Sequence, residues 1–311
     1  AALKKTDMLI FVSMEALFVA TYTWLLIGFQ HAGWGVHLLM LAGAVRVFIG
    51  GLMLYWPTSK HVPWKPSDHT MYRACFALSA LSCVGLSLWG YTPVGMGMFI
   101  LLCVAHGAAF TLRLLGATTL IPRVQAEEGK NVKLALVLII MPLTLSLATV
   151  ISSFMAEVHM RLPVFVGGLA YLYFLFSPNV KRTLAHTHKR THDVLDGKPA
   201  NTGAIALFTM AIAHNTFGML IKWAVLPLYM WERLAHDPKK VGMALGLLML
   251  VTLLAKLVED EVKERAFPTQ SVMAGGYLFG GFMLIGWGMA DSVLLAGVFV
   301  ALKLMSGTIF T

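Results

Sequence analysis

Three basic side chains in this sequence stand where a solute could be held. His106, His214 and Lys303 each fall about eleven residues into a long apolar run, about 16 Å deep at the rise of an α-helix. An ionisable group that deep in hydrocarbon needs a partner, a water-filled cavity or a functional role. Imidazoles change charge near neutral pH, and positive groups within low-dielectric walls focus the field on an anion. Asn215, beside His214, adds an amide donor, and Arg113 follows His106 by seven residues on the same helix face. Tyr22 and Thr23 reach a similar depth in the first apolar run, with Glu15 a turn or two nearer the amino terminus. This chemistry suits a carboxylate or phosphate ester, with Glu15 as the candidate group for proton coupling. Glu15 and Arg46 also fit a structural ion pair, since they lie about 10 and 15 Å from the same end of neighbouring antiparallel runs.

Two other chemistries use some of the same residues. Met210 and His214 are i, i+4, with Met219 close by, and thioether plus imidazole suits Cu(I). His37, His106 and His214 could instead ligate the metal of a haem or chlorin. No P-loop, HExxH or acidic prenyltransferase motif is present, so the expectation is a non-enzyme without a cofactor. Cys75, Cys83 and Cys103 form no CxxC pair and read as small buried hydrophobes.

The elements that carry these residues follow from composition. The chain has 311 residues, 58% hydrophobic and 13% charged, against about 25% charged in a soluble domain. Three cysteines cannot staple a secreted scaffold of this length. A membrane-spanning helix needs about 20 mostly apolar residues. Ten such stretches are present, at about 8–30, 34–56, 72–92, 95–117, 132–155, 162–178, 203–230, 241–258, 268–288 and 292–311. Runs such as 132–151 are apolar on every face, unlike the alternating strands of a membrane barrel. The expected fold is all-α: a polytopic transmembrane helical protein of about ten helices.

The net charge of +9 is mostly a topology signal. Basic residues from Lys4 and Lys5 to Lys263 and Arg265 gather on the amino-terminal side, while Arg161, Arg233, Lys239 and Lys240 lie opposite. This asymmetry predicts a cytoplasmic amino terminus and membrane lipids, not nucleic acid, as the partner of the basic loops. The long basic loop, 177–203, contains His186, His188 and His192 and reads as a solvated linker, or as a His-rich metal tract.

Six helices, a basic loop and a second helical set form a pattern that resembles the major facilitator superfamily. The region 214–250 carries the resemblance in sequence: Leu226, Pro227, Leu228 and Tyr229 close helix 7, and Gly242 opens helix 8. A fainter echo pairs Trp56-Pro57-Thr58 with Phe267-Pro268-Thr269. The stretch between helices 2 and 3 lacks the family's Gly-x3-Asp-Arg/Lys-x-Gly-Arg/Lys signature, and its counterpart after helix 8 keeps Asp260 and Arg265 without the glycine. The ten-helix drug/metabolite transporters share a similar "GAVRVFIGGLML" helix 2, but here the basic insert follows helix 6, not helix 5.

The resemblance implies a 6 + 4 arrangement, a truncated 6 + 6. Residues 1–178 would form a six-helix bundle, 179–202 a cytoplasmic linker, and 203–311 the second bundle, with helices 11 and 12 missing. It also implies that helices 1, 4, 7 and 10 line a central cavity between rocking halves. The expected function is therefore secondary transport of a small anionic solute by alternating access, with protons as candidate coupling ion. A facilitator-like subunit, assembly factor or pigment carrier of a larger membrane complex, and a copper transporter, are the alternatives.

Overall fold

A computed structural model describes residues 5–55, 68–109, 132–178, 224–264 and 269–309. Helices dominate all five segments. They are α1 (Lys5–His31), α2 (Val36–Tyr55), α3 (Asp68–Trp89), α4 (Pro93–Ala109), α5 (Val132–Val158) and α6 (Leu162–Phe176). After the basic loop come α7 (Leu226–Arg233), α8 (Pro238–Glu264), α9 (Thr269–Gly288) and α10 (Val293–Ile309). Among the described residues one stretch, Pro238–Ala255, is by itself long and apolar enough to cross a membrane, and shorter apolar stretches run in α2 to α6 and in α10.

Local chemistry sets the helix ends. At the end of α1, Trp34 N–H donates to Phe29 C=O and Gly33 N–H to Gln30 C=O, at 3.0 and 2.9 Å. Gly33 has φ +88°, so this is a Schellman cap, with Trp34 packed edge-on against Phe29 as its apolar contact. α3 stops at Gly90 (φ +60°), just short of the stretch predicted to run to 92. Thr92 then caps α4 by accepting from Gly95 N–H at 3.3 Å.

The end of α7 makes the longer of the two α1 cap bonds without a glycine. His236 N–H donates to Trp231 C=O at 3.1 Å, Leu234 N–H to Met230 C=O, and the ring of His236 packs on Trp231. Ala235 and His236 take φ of 57° and 60°, a conformation that costs an L-residue about 1–2 kcal/mol. Asp237 then caps α8, its Oδ1 accepting from Lys239 N–H and Lys240 N–H at 3.0 and 3.3 Å, and Pro238 takes the first helical position. These bonds, first that from Lys240 N–H, hold the Asp237 carboxyl below its ordinary range.

α1 is the spine of the first six helices. Phe18, Trp24, Leu26, Ile27 and Phe29 on it have no exposed surface, and it packs on α5, α6 and α7. Trp24 Nε1 donates to Ser152 Oγ on α5 at 2.8 Å. α5 and α8 share an extensive seam, and glycine is the reason it is close. A Cβ at Gly242 would lie 2.1 Å from Ser153 Cβ, and one at Gly246 would lie 2.7 Å from Val150 Cγ2. Two glycines one turn apart thus let the backbones approach, as small residues do between membrane helices.

Candidate functional site

Two glycines on α6 bring a tyrosine into the interior. Gly167 meets Thr21 of α1 and Gly168 meets Cys83 of α3, which seats α6 deeply enough for Tyr171, a turn further on, to be 1% exposed. Its hydroxyl hydrogen-bonds His106 Nε2 on α4. The His106 ring also stacks on Phe18 of α1, with centroids 3.9 Å apart and 29° between planes. Arg46 on α2 sets its guanidinium 4.1 Å from the centroid of the same Phe18 ring. Tyr22, one turn along α1, lies 5.0 Å from Phe18 and 5.6 Å from Phe99 of α4.

The result is a buried cluster of two basic groups, two phenols and two phenyl rings drawn from α1, α2, α4 and α6. Gly107 allows it, because a Cβ there would meet the Arg46 carbonyl oxygen at 2.3 Å. A guanidinium over an aromatic face gains cation–π attraction, which strengthens on desolvation. Chemically the cluster offers hydrogen-bonding groups, a guanidinium and flat apolar faces.

The predicted residues divide into three groups. His106, Tyr22 and Arg46 come together. Lys303 is half-buried on α10, with Nζ and Cδ against the Cα face of Gly280 on α9, so its described neighbours belong to the α9–α10 pair. His214, Asn215, Met210, Met219 and Arg113 lie outside the described residues, as does the side chain of Glu15. Arg46 lies over the aromatic face of Phe18, and its expected pairing with Glu15 involves a side chain outside the described residues. His37 is exposed at the first turn of α2, apart from buried His106.

Sequence reasoning missed Tyr171, Phe18 and Phe99. The available signal for Tyr171 was a hydroxyl four residues after Gly167, in a run that also carries Tyr173. A cleft of about 280 Å³ opens beside the cluster, between α5 and α6 with α1 as its floor. Ala16, Ala20, Ala148, Ile151, Gly167 and Ala170 supply much of its wall. Thr144 and Ser152 in that wall spend their hydroxyl protons on the carbonyls of Ile140 and Thr149, so the cleft offers an anion little.

At the end of the bundle away from the amino terminus, Trp34 Nε1 donates to Tyr91 C=O at 2.8 Å, and the Arg161 guanidinium sits 5.7 Å from the Tyr91 ring. Burial pushes the Tyr91 phenol up to about 12, against the opposing pull of Arg161.

The arrangement of helices is similar to that of two solved structures. The nucleoside transporter NupG superposes with a TM-score of 0.64 over 98% of this chain and 79% of that one, at 14% identity. A D-xylose-proton symporter gives 0.50 over 98% and 80%, at 12% identity. No protein-family model matches the sequence, and no curated protein matches it. Both solved proteins are major facilitator transporters, and at these identities the likeness is one of fold.

Proposed function

We propose that this chain, which has the all-α, multi-pass major facilitator fold, is a secondary transporter of a small anionic solute. The observation that carries this reading is the buried pairing of Arg46 and His106 around Phe18. Two basic groups inside a low-dielectric bundle support an anion there, with Glu15 proposed as the structural ion-pair partner of Arg46. His214, Asn215 and Lys303 complete the proposed site, with Arg113 as a further proposed contact. Glu15 is the proposed coupling group, and the basic loops support a cytoplasmic amino terminus.

A second reading, an uncharged polar solute, is favoured by the aromatic faces of Phe18, Tyr22 and Phe99 and by the solutes named for the two similar structures. Thermal unfolding of the purified protein at pH 6 and pH 8 separates the two. A ligand at 100 times its Kd stabilises a fold by about 2.7 kcal/mol. Stabilisation by carboxylates or phosphate esters, lost in Lys303→Ala, supports the anion. Stabilisation by nucleosides or sugars alone supports the second reading.

A further inference from the structure

The caps that end α1 and α7 share one closing bond, Trp34 N–H to Phe29 C=O and His236 N–H to Trp231 C=O, and residues at matching positions touch. Phe29 and Trp34 bracket the first, Trp231 and His236 the second. Gln30 follows Phe29 as Glu232 follows Trp231, and across the 202 residues between them Gln30 Nε2 donates to Glu232 Oε1 at 2.9 Å. In a fold whose halves are related by a twofold-like axis along the membrane normal, equivalent residues meet only at that axis. The contact therefore marks where the two halves close on one another.

Its surroundings make it a latch poised to release. His236 Nε2 holds the other carboxylate oxygen, Oε2, at 3.3 Å, which aims Oε1 at Gln30. His31 packs edge-on with Trp231 at 6.3 Å, and Lys239 of α8 pairs with Glu157 of α5 at 2.8 Å on the same end. Against these, Gln30 Oε1 is buried without a hydrogen-bond partner. Opening to water would satisfy the amide oxygen.

We infer that Gln30 and Glu232 form an axial latch that closes the end of the bundle opposite the amino terminus, and that opening this end requires their bond to break. The inference rests on the transport reading for its purpose, but not for its test. Cysteines at Val94 and Leu294, exposed in the first turns of α4 and α10 at that end, accept spin labels, and the three native cysteines are buried. Electron–electron distance measurements in lipid nanodiscs then report the separation.

Gln30→Glu sets two carboxylates face to face and should move most of the distribution to a longer distance. Gln30→Lys supplies an ion pair and should leave a single short distance. The exchanged pair Gln30→Glu with Glu232→Gln keeps one donor and one acceptor and should restore the short distance, which also shows that the single variant had folded. If Gln30→Glu leaves the distance short, if Gln30→Lys lengthens it, or if the exchanged pair stays long, the latch is overturned. Distances that respond in a protein that takes up no solute would overturn the transport reading and leave the latch standing.

Discussion

His106 on α4 hydrogen-bonds through Nε2 to the hydroxyl of Tyr171 on α6 while its ring lies flat on Phe18 of α1. One imidazole thus ties three helices, and its orientation is fixed both by a hydrogen bond and by an aromatic face. An orientation held in this way is what a binding group needs if a solute is to meet it in one geometry.

Tyr171→Phe should therefore lower stability and disorder the site together. Removing the hydroxyl from a buried hydrogen bond costs about 1–3 kcal/mol. Thermal unfolding in detergent checks the loss. The imidazole resonances of His106 should broaden in the variant, and unchanged resonances would mean that Phe18 alone holds the ring.

The α5–α8 seam should tolerate no side chain at Gly242. A Cβ there would lie 2.1 Å from Ser153 Cβ, and overpacking costs about 1–3 kcal/mol. Gly242→Val should lower Tm, whereas Gly97→Ala on α4, where nothing lies within 4 Å, should not.

The matched caps predict opposite responses to matched substitutions. Ala235→Gly removes a left-handed alanine, and Gly33→Ala creates one at φ +88°, each a change of about 1 kcal/mol. Unfolding should show the first variant more stable than the parent and the second less stable.

Asp237 gives the fold a dependence on acid. Its carboxyl titrates below the ordinary 3.8 because Lys240 and Lys239 N–H groups bond the charged form. A lowered folded pKa means that its stabilisation is present above about pH 4 and fades as pH falls through the folded value. Asp237→Ala should lower Tm at pH 7, and its difference from the parent should shrink toward pH 3. A constant difference across that range would show that the carboxylate's charge plays no part in the cap.

Much of the bundle was legible because hydrocarbon demands long apolar runs. The stretches predicted at 132–155 and 268–288 match α5 (Val132–Val158) and α9 (Thr269–Gly288). α8 runs past its predicted 241–258, from Pro238 to Glu264, because the Asp237 cap and a polar, helix-favouring tail extend it beyond the apolar part. The site was legible only in depth. Position along a helix gives depth, but a run apolar on all faces does not say which neighbour each side chain meets. His106 was found as a polar group in such a run, while Tyr171 was hidden because Gly167 and Gly168 decide its direction. Arg46 was matched by depth to Glu15, whose side chain lies outside the described residues, and depth could not reveal that the guanidinium also lies over the Phe18 ring.

The central claim, movement of an anion through this fold, is tested most directly by exchange uptake into proteoliposomes. Vesicles loaded with an unlabelled carboxylate or phosphate ester would take up the same labelled solute, with nucleosides and sugars run in parallel. The account predicts saturable uptake of one anion class, lost in Lys303→Ala and in His106→Ala while both variants remain folded. Saturable uptake of an uncharged solute with no anion exchanged, or no uptake of any solute by folded protein, would contradict it.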